Sequence, residues 1–112
     1  VNTNINKASV ANQVTQMAVD AVVGSGTNVL FQNEPNPFEN NTVIRFILEK
    51  PSFATLQIMD ITGKTIKMIQ DDYPAGQNFI NIDNSQLPAS GMYYYQLRTK
   101  DFNDTKKMLY IK

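Results

Sequence analysis

From Leu30 onward, apolar residues recur at every second position in short runs, and proline, glycine or aspartate breaks the runs about every ten residues. No other feature limits the possible folds so strongly. A period of two belongs to a strand with one face buried, and many short strands with turns between them build an antiparallel sandwich. Over 42–48, Ile44, Phe46 and Leu48 share one face, and Arg45 takes the other. Over 52–60, Ala54, Leu56 and Ile58 point inward. The shorter run 64–69 carries Ile66 and Met68, and 77–82 carries Ile80 and Ile82. Over 92–99, Tyr93, Tyr95 and Leu97 form the inner face, with Tyr94 turned the other way. The last run, 105–111, offers two phases: Met108 with Tyr110, or Leu109 with Ile111.

The breaks have their own chemistry. Pro35-Asn36-Pro37 fixes two φ angles and removes two donors, which imposes an extended or turning entry to the first long strand. Asp60-Ile61-Thr62-Gly63 fits a type I turn, with aspartate bonding the backbone ahead and glycine taking the positive φ. Lys50-Pro51-Ser52, Pro74-Ala75-Gly76 and Pro88-Ala89-Ser90-Gly91 are further turns, and Asp101 to Asp104 reads as a hairpin connection.

Residues 1–28 differ in composition. The stretch 1–27 has no aromatic residue and ends in Gly24-Ser25-Gly26-Thr27. Val10, Val14, Met17, Ala18, Ala21 and Val22 recur at helical spacing, with Ser9 as a cap and Gly24 as a stop. Valine and threonine make this a poor helix. The expectation is a flexible or partly helical segment, the linker or tail of an upstream protein. The chain opens on Val1 with no leader pattern, so the reading is the C-terminal piece of something longer.

Composition narrows the chemistry. The 112 residues contain neither cysteine nor histidine, which removes the common nucleophilic triads and most zinc sites. Ten basic and ten acidic residues balance to a formal net charge of +0, so no basic excess draws the chain to nucleic acid. No apolar run reaches the roughly 20 residues needed to span a bilayer as a helix. Asp71, Asp72, Asp101 and Asp104 are expected in turns, where carboxylates bond nearby amides, and no calcium-loop ligand series surrounds them. The expectation is a domain without catalytic residues, metal or cofactor.

Several motifs then resemble one known family, the type A C-terminal sorting domains of the type IX (Por) secretion system. Leu30-Phe31-Gln32-Asn33-Glu34-Pro35-Asn36-Pro37-Phe38 is similar to that family's L-x-Q-N-x-P-N-P-F opening. Leu56 to Lys64 resembles its L-x-[IV]-x-D-x-x-G-[RK] strand and turn, and Pro74-Ala75-Gly76 its P-A-G turn. Leu87 to Tyr95 resembles the L-x-x-G-x-Y-x-Y block, and Lys106 to Lys112 the K-x-x-[VIL]-x-K finish. The motifs run in family order across 29–112. Glu34, Ile82 and Pro88 depart from it, standing where tyrosine, tryptophan and a non-proline turn residue are frequent.

The resemblance implies an all-β, immunoglobulin-like antiparallel sandwich of about seven strands, the architecture that the alternation also suggests. It implies a signal that takes its cargo across the outer membrane to the cell surface or the extracellular space. The partners so implied are an outer-membrane translocon, a shuttle protein, a cell-surface sortase that removes the domain, and the covalently joined cargo. Candidate recognition residues are Pro35, Asn36, Pro37, Gly91, Tyr93, Tyr94, Lys107 and Lys112. The candidate cleavage region is Gly24, Ser25, Gly26, Thr27 and Asn28, where small residues give a protease an extended substrate. The competing reading is a carbohydrate-binding or adhesion sandwich, with Tyr73, Tyr94 and other exposed rings as its platform, since a fold alone does not assign a function.

Because the strand phases define the core, Ile58→Asp and Tyr95→Asp are each expected to unfold the domain. A cooperative melt near the wild-type temperature in either variant, followed by circular dichroism, would show the phase to be wrong.

Overall fold

The computed structural model describes residues 27–112, and these form two antiparallel sheets packed into an immunoglobulin-like sandwich. In chain order the strands are β1 (Val29–Leu30), β2 (Asn41–Leu48), β3 (Ser52–Asp60), β4 (Thr65–Tyr73), β5 (Gly76–Asp83), β6 (Gly91–Arg98) and β7 (Asn103–Tyr110). One sheet has the order β1-β2-β5, the other β4-β3-β6-β7. The helical reading between Ser9 and Gly24 lies outside the described residues. Among the described residues, no helix is long and apolar enough to cross a membrane.

Alternation places the core. Ile44, Phe46 and Leu48 of β2, with Ile80 and Ile82 of β5, meet Ala54, Leu56 and Ile58 of β3 and Tyr93, Tyr95 and Leu97 of β6. In β7 the inward pair is Met108 and Tyr110, both buried, while Ile111 is exposed. Phe38 fixes this phase: its buried ring stacks on Tyr110 with centroids 5.4 Å apart. Ile47 is also buried, but on the opposite face of β2, beside its register partner Val29.

In β4 the inward pair differs from the expected Ile66 and Met68. Met68 is 46% exposed, whereas Ile66 and Ile69 pack on the core. Residues three apart face opposite sides of a regular strand, so both reach the core only through an irregularity. Ile58 pairs with Lys67 and Met59 with Thr65, which leaves Ile66 as an extra residue in the ladder. Beyond this bulge, Met68 lies outside with Gln57, and Ile69 lies inside with Leu56.

Local chemistry closes the turns. The Asp60 carboxylate accepts from the Thr62 hydroxyl at 2.6 Å and from the amides of Thr62 and Lys64 at 2.9 and 3.1 Å. The Thr62 hydroxyl, and then these amides, hold the Asp60 carboxyl below its usual range against the upward pull of desolvation. Gly63 ends the turn at φ +91, which an L side chain rarely adopts. After β5 the chain makes a 3-10 turn, Asn84–Gln86, held by a capping box between Asp83 and Gln86.

The bulge yields a ranking. Met68→Asp is expected to change stability by less than about 0.5 kcal/mol and Ile69→Asp to cost more than about 2 kcal/mol, measured by urea unfolding. The reverse order would place the phase change elsewhere.

Candidate recognition surface

The segment 31–38 crosses from one sheet to the other. At its start, the Phe31 amide donates to the Arg45 carbonyl at 3.0 Å, and Glu34 exchanges two backbone bonds with Val43, so it begins as an extension of β1 beside β2. At its end, the Phe38 amide donates to the Leu109 carbonyl at 3.0 Å, and the Ile111 amide donates to the Phe38 carbonyl at 2.9 Å. Phe38 therefore lies beside β7 of the opposite sheet. Both proline bonds between these points, Glu34-Pro35 and Asn36-Pro37, are cis.

A buried polar cluster fixes this crossing. Asn33 is 1% exposed. Its amide donates to the Tyr95 hydroxyl at 2.8 Å, and its Nδ2 donates to the Pro35 carbonyl at 3.1 Å and to Thr42 Oγ1 at 3.0 Å. Gln32 Nε2 donates to Asn33 Oδ1 at 2.7 Å, the Thr42 hydroxyl to the Pro35 carbonyl at 2.8 Å, and the Tyr95 hydroxyl to the Phe31 carbonyl at 2.8 Å. Burial pushes the Tyr95 phenol up to about 12, despite the opposing effect of the Asn33 amide. Each polar group here has a partner, as a buried group requires.

The side chains at the top of this crossing form the accessible surface. Pro35, Asn36 and Pro37 are all exposed. Asn36 Oδ1 accepts from the Leu109 amide at 2.9 Å, which ties the proline turn to the outer edge of β7. Gln32, Asn36, Pro37, Met92, Lys107 and Leu109 line one shallow depression. Gln32 Nε2 also donates to the Lys107 carbonyl, leaving the Lys107 side chain at the surface. Tyr94, half-buried, stands on the outer sheet face between its register partners Met59 and Lys107.

The structure thus brings Pro35, Asn36, Pro37, Lys107 and Tyr94 to one side of the molecule and places Gly91 and Tyr93 at the turn 88–91. Tyr93 is buried, and its hydroxyl donates to the Ala89 carbonyl, the tyrosine corner that recurs in sandwiches of this kind. Gly91 follows at φ +144 with open space where a Cβ would lie, so the backbone conformation is what calls for glycine there. Together they brace the turn 88–91, which forms a second depression with Asp60, Ile61 and Met92. Met92, 40% exposed, lines both depressions. It was absent from the sequence candidates, although the outward phase of Tyr94 implies the same for Met92. Lys112 is exposed beyond the end of β7.

Neither tyrosine of the carbohydrate reading stands free as a platform. Tyr73 turns edge-on to Phe46 at 5.2 Å and packs against the core, and Tyr94 is half-buried. The turn expected at the carboxylates holds for Asp101 alone, which pairs with Lys50 at 3.2 Å. Asp71 and Asp72 lie in β4 and Asp104 in β7, because both strands run longer than their apolar runs, and Asp71 accepts from the Asp72 amide and Asp104 from the Thr105 amide. In the candidate cleavage region, Gly24, Ser25 and Gly26 lie outside the described residues, and Thr27 is half-buried. Asn28 is anchored, its Oδ1 accepting from the Glu49 amide at 2.9 Å.

Among known families, the model of the secretion system C-terminal sorting domain matches residues 35–112. No curated protein matches the chain.

The raised Tyr95 phenol makes a pH prediction with a definite sign. Its folded value lies above the ordinary value of 10.0, so its contribution is fully present below about pH 10 and is lost as pH rises toward 12. The stability advantage of wild type over Tyr95→Phe should therefore shrink by about 2–3 kcal/mol between pH 7 and 12. Urea unfolding of both chains across that range measures it, and a constant difference would refute it.

Proposed function

Because the chain belongs to the family of secretion system C-terminal sorting domains, we propose that it works by being bound, through the edge where Pro35, Asn36, Pro37 and Lys107 converge. The family is one of type IX secretion signals and not of enzymes, and such a signal directs its cargo to the cell surface or extracellular space. The observation that carries the reading is geometric. Residues from opposite ends of the domain, 36–37 and 107–109, line one accessible depression with Met92. A partner docking there would contact the domain only when both ends are in place, and so would read folded domains.

The partners are an outer-membrane translocon and its shuttle protein, which take the cargo across, and a surface sortase that removes the domain. Docking by strand addition to β7 would have to displace Asn36 and Phe38 from Leu109, so side-chain recognition of the covered edge fits better. Removal is proposed within Gly24 to Asn28. Asn28 already holds Glu49 and β1 begins at Val29, so a cut ahead of Asn28 leaves the sandwich whole. Mass spectrometry of the released domain tests this, and a new terminus beyond Leu30 would refute it.

Function is tested by fusing residues Val1–Lys112 to a fluorescent protein with an export signal in a type IX-competent bacterium. Fluorescence is expected outside the cell only when the translocon is present. Lys107→Glu with Met92→Asp should lower export at least about tenfold with an unchanged melting temperature, equivalent to about 1.4 kcal/mol of recognition. Full export of that double variant would move recognition away from this edge, and a folded wild-type fusion retained in the periplasm would overturn the sorting role itself.

A further inference from the structure

The four edge strands of the sandwich are not equally protected. β1 is two residues long. The outer edge of β7 is covered by Gln32, Asn36 and Phe38. β4 carries the bulge at Ile66, and the Asp71 carboxylate occupies the Asp72 amide. Between Asn78 and Ile82, β5 has none of these devices. It spans eight residues, pairs only with β2, and contains no proline, no lysine and no charge before Asp83. Long edges of this kind are templates for strand pairing.

The ladder shows which β5 groups are open. Val43 exchanges its backbone bonds with Glu34, and the Arg45 carbonyl accepts from Phe31, so both residues direct these groups away from β5. Their register partners on β5, Asn81 and Phe79, therefore sit in non-hydrogen-bonded pairs of the β2–β5 ladder, with N–H and C=O pointing outward. Among the described residues nothing bonds these four groups. Toward the end of β5 the opening is bounded by Asp83, whose amide donates to Gln86 Oε1 at 2.7 Å.

We propose that two copies of this chain associate through β5, antiparallel about a two-fold axis at Ile80. That register is the one in which the open groups match themselves. Phe79 faces the partner's Asn81, Asn81 faces the partner's Phe79, and each facing pair exchanges two hydrogen bonds. The sheet continues as β1-β2-β5 followed by its two-fold copy. The Phe79 side chain, 62% exposed, meets its counterpart diagonally across the axis, within reach for aromatic rings. No like charges oppose across the axis, since Phe79, Ile80 and Asn81 are neutral, and the formal net charge of +0 adds no long-range repulsion. Lys106 and Lys107 would bring like charges together in the same operation on β7.

Sedimentation of residues Val1–Lys112 tests the association. The mass should rise from one chain to two as concentration approaches about 1 mM, the weak end of specific affinities. Asn81→Lys, at an exposed position whose amide the fold leaves unused, should keep the chain monomeric with an unchanged melting temperature. Register is read by mixing Phe79→Cys with Asn81→Cys, since the chain has no other cysteine. Facing residues in such a pair lie about 5.5 Å apart, within disulfide reach, so the mixed disulfide should form at least about fivefold faster than either self-disulfide. A wild-type chain that stays monomeric, a dimer that survives Asn81→Lys, or equal rates of mixed and self cross-linking would each overturn the proposal.

Discussion

The sandwich depends on one crossing, in which the chain leaves the β1-β2-β5 sheet at Phe31 and reaches β7 at Phe38. Two sheets that share only a core can slide, whereas this segment bonds to the backbone of both. Asn33 makes the crossing possible. Its side chain replaces the ladder partners that the backbone gives up between sheets, and its amide meets a tyrosine from the opposite sheet. Removing such a buried partner leaves donors and acceptors unsatisfied, which costs more than the bond itself contributes. The same segment covers the β7 edge, so one stretch of chain both joins the sheets and shields a strand.

Much of this was legible in the alternation, because parity survives along a strand whatever the neighbouring strands do. Ile44, Phe46, Ala54, Leu56, Ile58, Tyr95 and Leu97 all lie inward for that reason. Parity failed in β4, where one inserted residue reverses it and no residue type announces the bulge. It was silent in β7, where both faces are apolar and the distant Phe38 decides. The candidate recognition residues divide in the same way. Pro35 to Pro37 were visible as a motif, but their proximity to Lys107 and Met92 arises from contacts across some seventy residues of chain. Tyr93 and Gly91 stand in an equally recognisable motif, and their geometry braces a turn. The role of Asn33 was illegible because its partners lie nine and sixty-two residues away.

The edges show how a sandwich combines stability with selective contact. A covered β7 presents side chains and withholds its backbone, while β5 presents both. The two edges lie in different sheets, so engagement of one need not disturb the hydrogen bonds of the other.

The order of attachments at the entrance to the fold also sets how it answers a mechanical load. Tension applied upstream of Thr27 reaches the Asn28–Glu49 bond first, then the two-residue β1, and only then the knot around Asn33. The first two are small and can yield in sequence, like stitches. The third joins both sheets and must fail as a unit, so a pull from the cargo side would lengthen the tether before it opens the core.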